Sequence, residues 1–155
     1  MDRLFMAIAT GFGLGYLPKA PGTWGTLLAL PIHYLIVQLP PLGYPAAIAT
    51  IIVIAVLAAG AAEKIIDQPD PGLVVIDEVA GMLIAMIAIP ASPLAWLLAF
   101  TLFRLFDILK PFPVNFFDQR CHGGLGIVLD DLMAGLYALA TLQLLWFLLG
   151  RTGMV

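Results

Sequence analysis

Residues 44–62 run for 19 positions without a charged side chain, and this stretch excludes most soluble folds for the chain around it. A helix needs roughly 20 apolar residues to cross the ~30 Å hydrocarbon core of a bilayer. Within lipid, every backbone N–H and C=O must find its partner inside the protein, which leaves helices or a closed barrel. No stretch shows the alternation of a membrane barrel, and Ala, Leu and Met favour helix, so the sequence reads as all-α.

Four further apolar stretches cover residues 24–39, 79–89, 94–106 and 126–149. Only 44–62 and 126–149 are long enough to cross outright; 79–89 and 94–106 predict short helices, buried or partly inserted as a hairpin. Pro40-Pro41 closes the first stretch, Pro90 closes the third, and Ser92-Pro93 reads as a helix start. Hydrophobic residues make up 62% of the chain and charged ones 11%, against about 45–50% and 25% in soluble domains. The expectation is a compact helical membrane protein of about five to six helices, forming one domain over residues 1–155. A net charge of −3 leaves no basic patch for nucleic acid. The single cysteine, Cys121, excludes an internal disulfide and a multi-cysteine zinc site. The apolar run at residues 4–9 is too short for a signal-peptide core.

The charges are unevenly placed. They precede the first apolar stretch, fill the connection between the second and third, and surround the junction of the fourth and fifth. The connections at residues 40–43 and 91–93 hold none. If each stretch crosses or turns back once, 16 of the 17 charged residues share one face, with only Arg151 opposite. Six of the seven Lys and Arg residues lie on that face, which makes it cytoplasmic by the positive-inside rule.

Candidate chemistry lies on the same face. Asp77-Glu78 opens the third stretch; one carboxylate there serves as a helix cap, but a pair exceeds that need. Asp130-Asp131 sits between Ile127-Val128-Leu129 and Leu132-Met133. Carboxylates at membrane depth cost about 2.5–3.5 kcal/mol each, so two adjacent ones imply a cation or a catalytic task. Arg104 and Asp107, at i and i+3, share a helical face, either as a local ion pair or as part of a site; Lys110 follows, and Pro111 ends the helix. A glycine-rich loop before Gly22 and Thr23 permits close approach of an anion to a helix N-terminus beginning near Thr23. The cysteine-phosphatase loop is absent, because Ile127 rather than arginine stands six residues after Cys121. His33 and His122 are too few for a histidine zinc cluster and read as structural. The remaining pattern is a carboxylate-rich site assisted by bases, and oxygen ligands suit a hard cation such as Mg²⁺.

These residues, in this order, resemble a known family. Gly11-Phe12-Gly13-x-Gly15-x-x-Pro18-x-x-Pro21-Gly22-Thr23-x-Gly25, Asp77-Glu78 with Gly81-Met82, and Phe103-Arg104-x-x-Asp107-x-x-Lys110-Pro111-x-Pro113 are similar to phosphatidylglycerophosphatase A. So are Phe117-Asp118, His122-Gly123-Gly124-x-Gly126-Ile127 and Asp130-Asp131-x-x-Ala134-Gly135. The resemblance implies an all-helical, Mg²⁺-dependent phosphatase of the bacterial inner membrane that converts phosphatidylglycerophosphate to phosphatidylglycerol and inorganic phosphate. The corresponding expectation is that Asp77, Glu78, Asp107, Asp130 and Asp131 hold one or two Mg²⁺ ions, by water attack or through an aspartyl-phosphate. Arg104 and Lys110 would clamp the phosphate, Thr23 and the amides around Gly22 would complete its cradle, and Asp118 and Lys19 are weaker candidates. The alternatives are a small cation- or proton-coupled transporter and a phosphotransferase, for which no nucleotide signature is visible.

Overall fold

The shortest of the interior helices organises all the others. The computed structural model describes residues 1–112 and 123–151, and its helices are α1 (Asp2–Ala9), α2 (Pro21–Ile36), α3 (Gly43–Ile66), α4 (Ile76–Ala85), α5 (Pro93–Leu109) and α6 (Gly123–Arg151). A 3-10 turn, Leu14–Tyr16, links α1 to α2, and no strand occurs among the described residues. Helix α4 is 10 residues long, yet Ile76, Asp77, Val79, Ala80, Gly81, Met82, Leu83 and Ala85 are all buried. It packs against α2, α3, α5 and α6, so it forms the axis of the bundle rather than a crossing. At about 1.5 Å per residue it spans only ~15 Å, half of a hydrocarbon core.

Close helix approach explains where the small residues fall. On α2 the buried positions are Gly22, Gly25, Thr26, Ala29 and His33, the i, i+3, i+4, i+7 spacing of one helical face. A Cβ on Gly25 would lie 2.6 Å from the Val75 carbonyl oxygen, so only glycine lets α2 lie this close to the start of α4. The α4–α6 contact is tighter still. A Cβ on Gly135 would strike the Gly81 carbonyl oxygen, and one on Gly81 would come 2.5 Å from the Asp131 carbonyl oxygen.

The expected boundaries hold closely at α5, where the Ser92 hydroxyl accepts a hydrogen bond from the Ala95 amide at 3.2 Å and Pro93 occupies the first turn. Lys110 ends that helix with a left-handed backbone, φ 42°, directly before Pro111. Helix α2 starts at Pro21, slightly earlier than the sequence suggested, and α1 had no counterpart among the apolar stretches.

Among the described residues, two helices are long and apolar enough to cross a membrane: α3, with mean hydropathy 2.3, and Gly123–Leu149 of α6, with 1.9. Only 28% and 22% of those windows are buried inside the protein, so most of their apolar surface faces outward, compatible with membrane association. The charge-free connections meet at the end remote from α4's N-terminus. There His33, 4% exposed, packs edge-on against Tyr44 and Trp96 with ring centroids 5.8 Å away in each case. An apolar cleft of about 610 Å³, lined by Pro41, Tyr44 and Ile87 to Ile89, opens beside it. Asp118, Arg120, Cys121 and His122 lie outside the described residues.

Gly135→Val is expected to lower the thermal midpoint of the detergent-solubilised protein, at a cost of about 1–3 kcal/mol or more, because the added atoms meet backbone that cannot move aside. Leu57→Ala, on the exposed face of α3, serves as the control and should leave the midpoint near that of the parent.

Candidate active site

Four helices deliver polar groups to one end of the bundle. Helix α4 supplies Asp77 and Glu78 from its first turn. The residue preceding that helix is Val75, whose side chain cannot cap, and neither carboxylate is consumed as the N-cap. Helix α6 supplies Asp130 and Asp131, α5 supplies Arg104, Asp107 and, at its C-cap, Lys110, and α2 brings in Gly22 and Thr26. A cavity of about 190 Å³ is lined by Asp70, Asp77, Glu78, Asp107, Lys110, Asp130 and Asp131.

Within that cavity the carboxylates divide. Asp77, Glu78 and Asp131 each place one oxygen within 4.8 Å of the other two, close enough to share a cation. Asp107 and Asp130 are engaged by bases: Arg104 Nη1 lies 2.7 Å from Asp107 Oδ2, and Lys110 Nζ lies 2.8 Å from Asp130 Oδ2. Arg104 Nη1 is also 3.9 Å from Glu78 Oε1 and 3.5 Å from Thr26 Oγ1.

The trio is poorly solvated. Asp77 is 8% exposed and Asp131 4%. Asp77 Oδ1 and Glu78 Oε2 are buried without a hydrogen-bond partner among the described residues. A buried carboxylate oxygen left in that state is costly unless it is protonated or meets a cation. Burial drives the Glu78 carboxyl up to about 8; the neighbouring Asp131 charge adds to the rise, and Arg104 opposes it. Asp77 is raised well above the usual carboxylate range by burial first and by the Glu78 charge second. The dipole of α4 favours both anions at its N-terminus, by about 0.3–1 kcal/mol, and does not offset this desolvation. A donor set made only of carboxylate oxygens, two of them orphaned, fits a hard divalent cation such as Mg²⁺.

Each expected site residue can now be located. Asp77, Glu78, Asp107, Asp130, Asp131 and Lys110 line the one cavity, and Arg104 contacts it through Glu78 and Asp107. Gly22 is buried against the same groups: a Cβ there would strike Glu78 Oε1 and lie 3.2 Å from Arg104 Nη1. Thr23 does not line the cavity, and its amide is already bonded to the Ala20 carbonyl at 3.0 Å. Two residues escaped the sequence reading. Asp70 lies in a Pro69-Asp70-Pro71 turn with φ 44° and looked like an ordinary loop charge. Thr26, one helical turn beyond Gly22, carries no motif of its own.

The family model described as phosphatidylglycerophosphatase A matches residues 7–146. A protein of Escherichia coli K12 named phosphatidylglycerophosphatase A is 39% identical over 136 residues, covering 87% of this chain and 79% of its own length. One of the same name from Haemophilus influenzae is 38% identical over 135 residues, covering 84% and 82%. A third relative, from Bacteroides thetaiotaomicron, is 36% identical over 152 residues, covering 92% and 94%, and carries the provisional name phosphatidylinositol-3-phosphatase. No solved structure gives a significant match.

The division of the carboxylates separates two adjacent residues by experiment. If the trio holds Mg²⁺, the ion should raise the thermal midpoint of the parent, Asp131→Asn should abolish that rise, and Asp130→Asn should retain most of it. The raised Glu78 carboxyl sets a pH dependence in the metal-free protein. Its folded value is about 8 and its unfolded value 4.5, so the folded chain holds a proton that the unfolded chain releases. This contribution to stability is full below 4.5 and lost as pH rises toward 8. Melting in EDTA across that range should show a falling midpoint, and added Mg²⁺ should flatten the fall.

Proposed function

The chain belongs to the phosphatidylglycerophosphatase A family, and on that footing we propose that it hydrolyses the phosphomonoester of phosphatidylglycerophosphate, yielding phosphatidylglycerol and inorganic phosphate. The observation that carries this reading is the meeting of Asp77, Glu78 and Asp131 beside two bases in one cavity at the end of an otherwise apolar bundle. Phosphoryl transfer asks for positioning and charge stabilisation rather than elaborate covalent chemistry, and this cavity has groups of both signs for the purpose.

Asp77, Glu78 and Asp131 would hold Mg²⁺. When bound, the ion supplies Lewis-acid polarisation of the phosphoryl oxygens. The protein's own groups do the rest. Arg104 and Lys110 bind non-bridging phosphate oxygens, Arg104 through its planar fork and Lys110 as a point charge. As Lys110 turns toward the phosphate its hold on Asp130 slackens, and Asp130 takes the proton from the attacking water. The new P–O bond forms in line with the bond to the glycerol oxygen, which breaks; the glycerol oxygen takes a proton from solvent water, and Asp130 returns the one it accepted to solvent. The lipid's acyl chains remain along the apolar surface of the bundle, with the charged end on the cytoplasmic side of a multi-pass inner-membrane protein. The sequence pattern, which assigns six of the seven Lys and Arg residues to one face, supports this orientation.

The transporter reading loses ground, because the carboxylates gather at one end of the bundle rather than at mid-span. The decisive measurement is phosphate release from phosphatidylglycerophosphate in detergent, with Mg²⁺ or with EDTA. Release only with Mg²⁺ is expected, and release undiminished by EDTA would remove the metal from the mechanism. No release from folded protein under either condition would overturn the reading. Phosphatidylinositol 3-phosphate belongs in the same assay, and faster turnover of that lipid would transfer the assignment to it.

A further inference from the structure

Among the described residues, the anchors of Arg104 are all made by one arm. Its contacts with Asp107 Oδ2, Thr26 Oγ1 and Glu78 Oε1, at 2.7, 3.5 and 3.9 Å, all use Nη1. Nη2 and Nε take part in none of them, and a guanidinium carries five donors in a fixed plane. Holding Nη1 therefore fixes where the rest of the fork points.

Thr26 is suited to that hold. It is fully buried, and its hydroxyl donates to the Gly22 carbonyl at 2.8 Å. A hydroxyl has one hydrogen, so this bond commits it and turns the oxygen's lone pairs toward Arg104. Asp107 lies on the same helix as Arg104 and moves with it, whereas Thr26 belongs to α2 and ties the guanidinium to the body of the bundle. Gly22 completes the arrangement, because any side chain there would occupy the space where Arg104 and Glu78 meet. The 3.5 Å contact is long, so the direction it imposes matters more than its strength, and such contacts often tighten when substrate binds.

We propose that Thr26 is a positioning residue that holds the Nη1 arm of Arg104 so that the remaining donors face the substrate phosphate. This rests on the phosphatase reading for its substrate, while the anchoring itself does not. Thr26→Val keeps the volume and removes the acceptor. It is expected to lower kcat/KM about tenfold, the scale of one hydrogen bond to a charged group. It should also weaken inorganic phosphate binding several-fold, read from phosphate-induced thermal stabilisation, while Mg²⁺-induced stabilisation persists. Thr26→Ser should restore most of both losses, and Thr26→Val combined with Arg104→Lys should cost little more than Arg104→Lys alone. Wild-type kcat/KM and phosphate affinity in Thr26→Val, equal damage in Thr26→Ser, or additive losses in the double variant would each overturn the proposal. If Thr26→Val does not fold, Thr26→Ala makes the same comparison. If the wild type releases no phosphate from the lipid, the phosphatase reading fails, and the phosphate-binding arm still decides the role of Thr26.

Discussion

Three carboxylates within reach of one cation, two buried and the third partly so in an apolar body, are the constraint on which the rest of this structure depends. Bringing Asp77, Glu78 and Asp131 together costs desolvation and like-charge repulsion, and an apolar bundle has little water with which to screen either. The backbone makes the approach possible. Gly81 and Gly135 let α4 and α6 touch backbone to backbone, and the same contact sets Asp131 beside the first turn of α4. The helix that bears Asp77 and Glu78 is short and almost wholly buried, so its N-terminus ends inside the bundle's polar end instead of running on into solvent.

The two bases complete the balance. Arg104 and Lys110 take Asp107 and Asp130 as their near partners, and of the remaining trio only Glu78 has a base in reach among the described residues, Arg104 at 3.9 Å. In the reading advanced above, a substrate phosphate would compete for these same bases. Electrostatic stabilisation would then pass from carboxylate to phosphate with little movement of the helices. At the far end the bundle is of different character: His33 sits among aromatic rings beside an apolar cleft, and the connections there carry no charge.

Much of this was legible beforehand. The long uncharged run and the hydropathy pattern anticipate α3 and α6, and Ser92-Pro93 and Pro111 mark the limits of α5. The alternation of charged and uncharged connections placed Asp77-Glu78, Arg104 to Lys110 and Asp130-Asp131 on one face, where they do converge. Less legible was the difference between neighbours. Asp130 and Asp131 are alike in sequence, but successive residues on a helix point about 100° apart. One therefore meets Lys110 and the other meets Asp77 and Glu78. Thr23 stood out because it opens a helix after glycines, yet the hydroxyl that reaches Arg104 is that of Thr26, one turn further along the buried face of α2. Asp70 was hidden in a turn whose left-handed backbone gave no sign of the cavity beside it.

By itself, then, the sequence determined the class of fold, the end of the bundle at which the carboxylates and bases gather and the kinds of groups assembled there. Burial cost decides those features, and it is written in residue type and spacing. Only the tertiary structure decided which carboxylates lie close enough to share a cation, which are engaged by a base, and which hydroxyl meets the arginine. Those choices depend on the rotation of each helix about its axis and on separations of a few ångströms. Both are set by glycine contacts between segments far apart in the chain, and no local pattern encodes them.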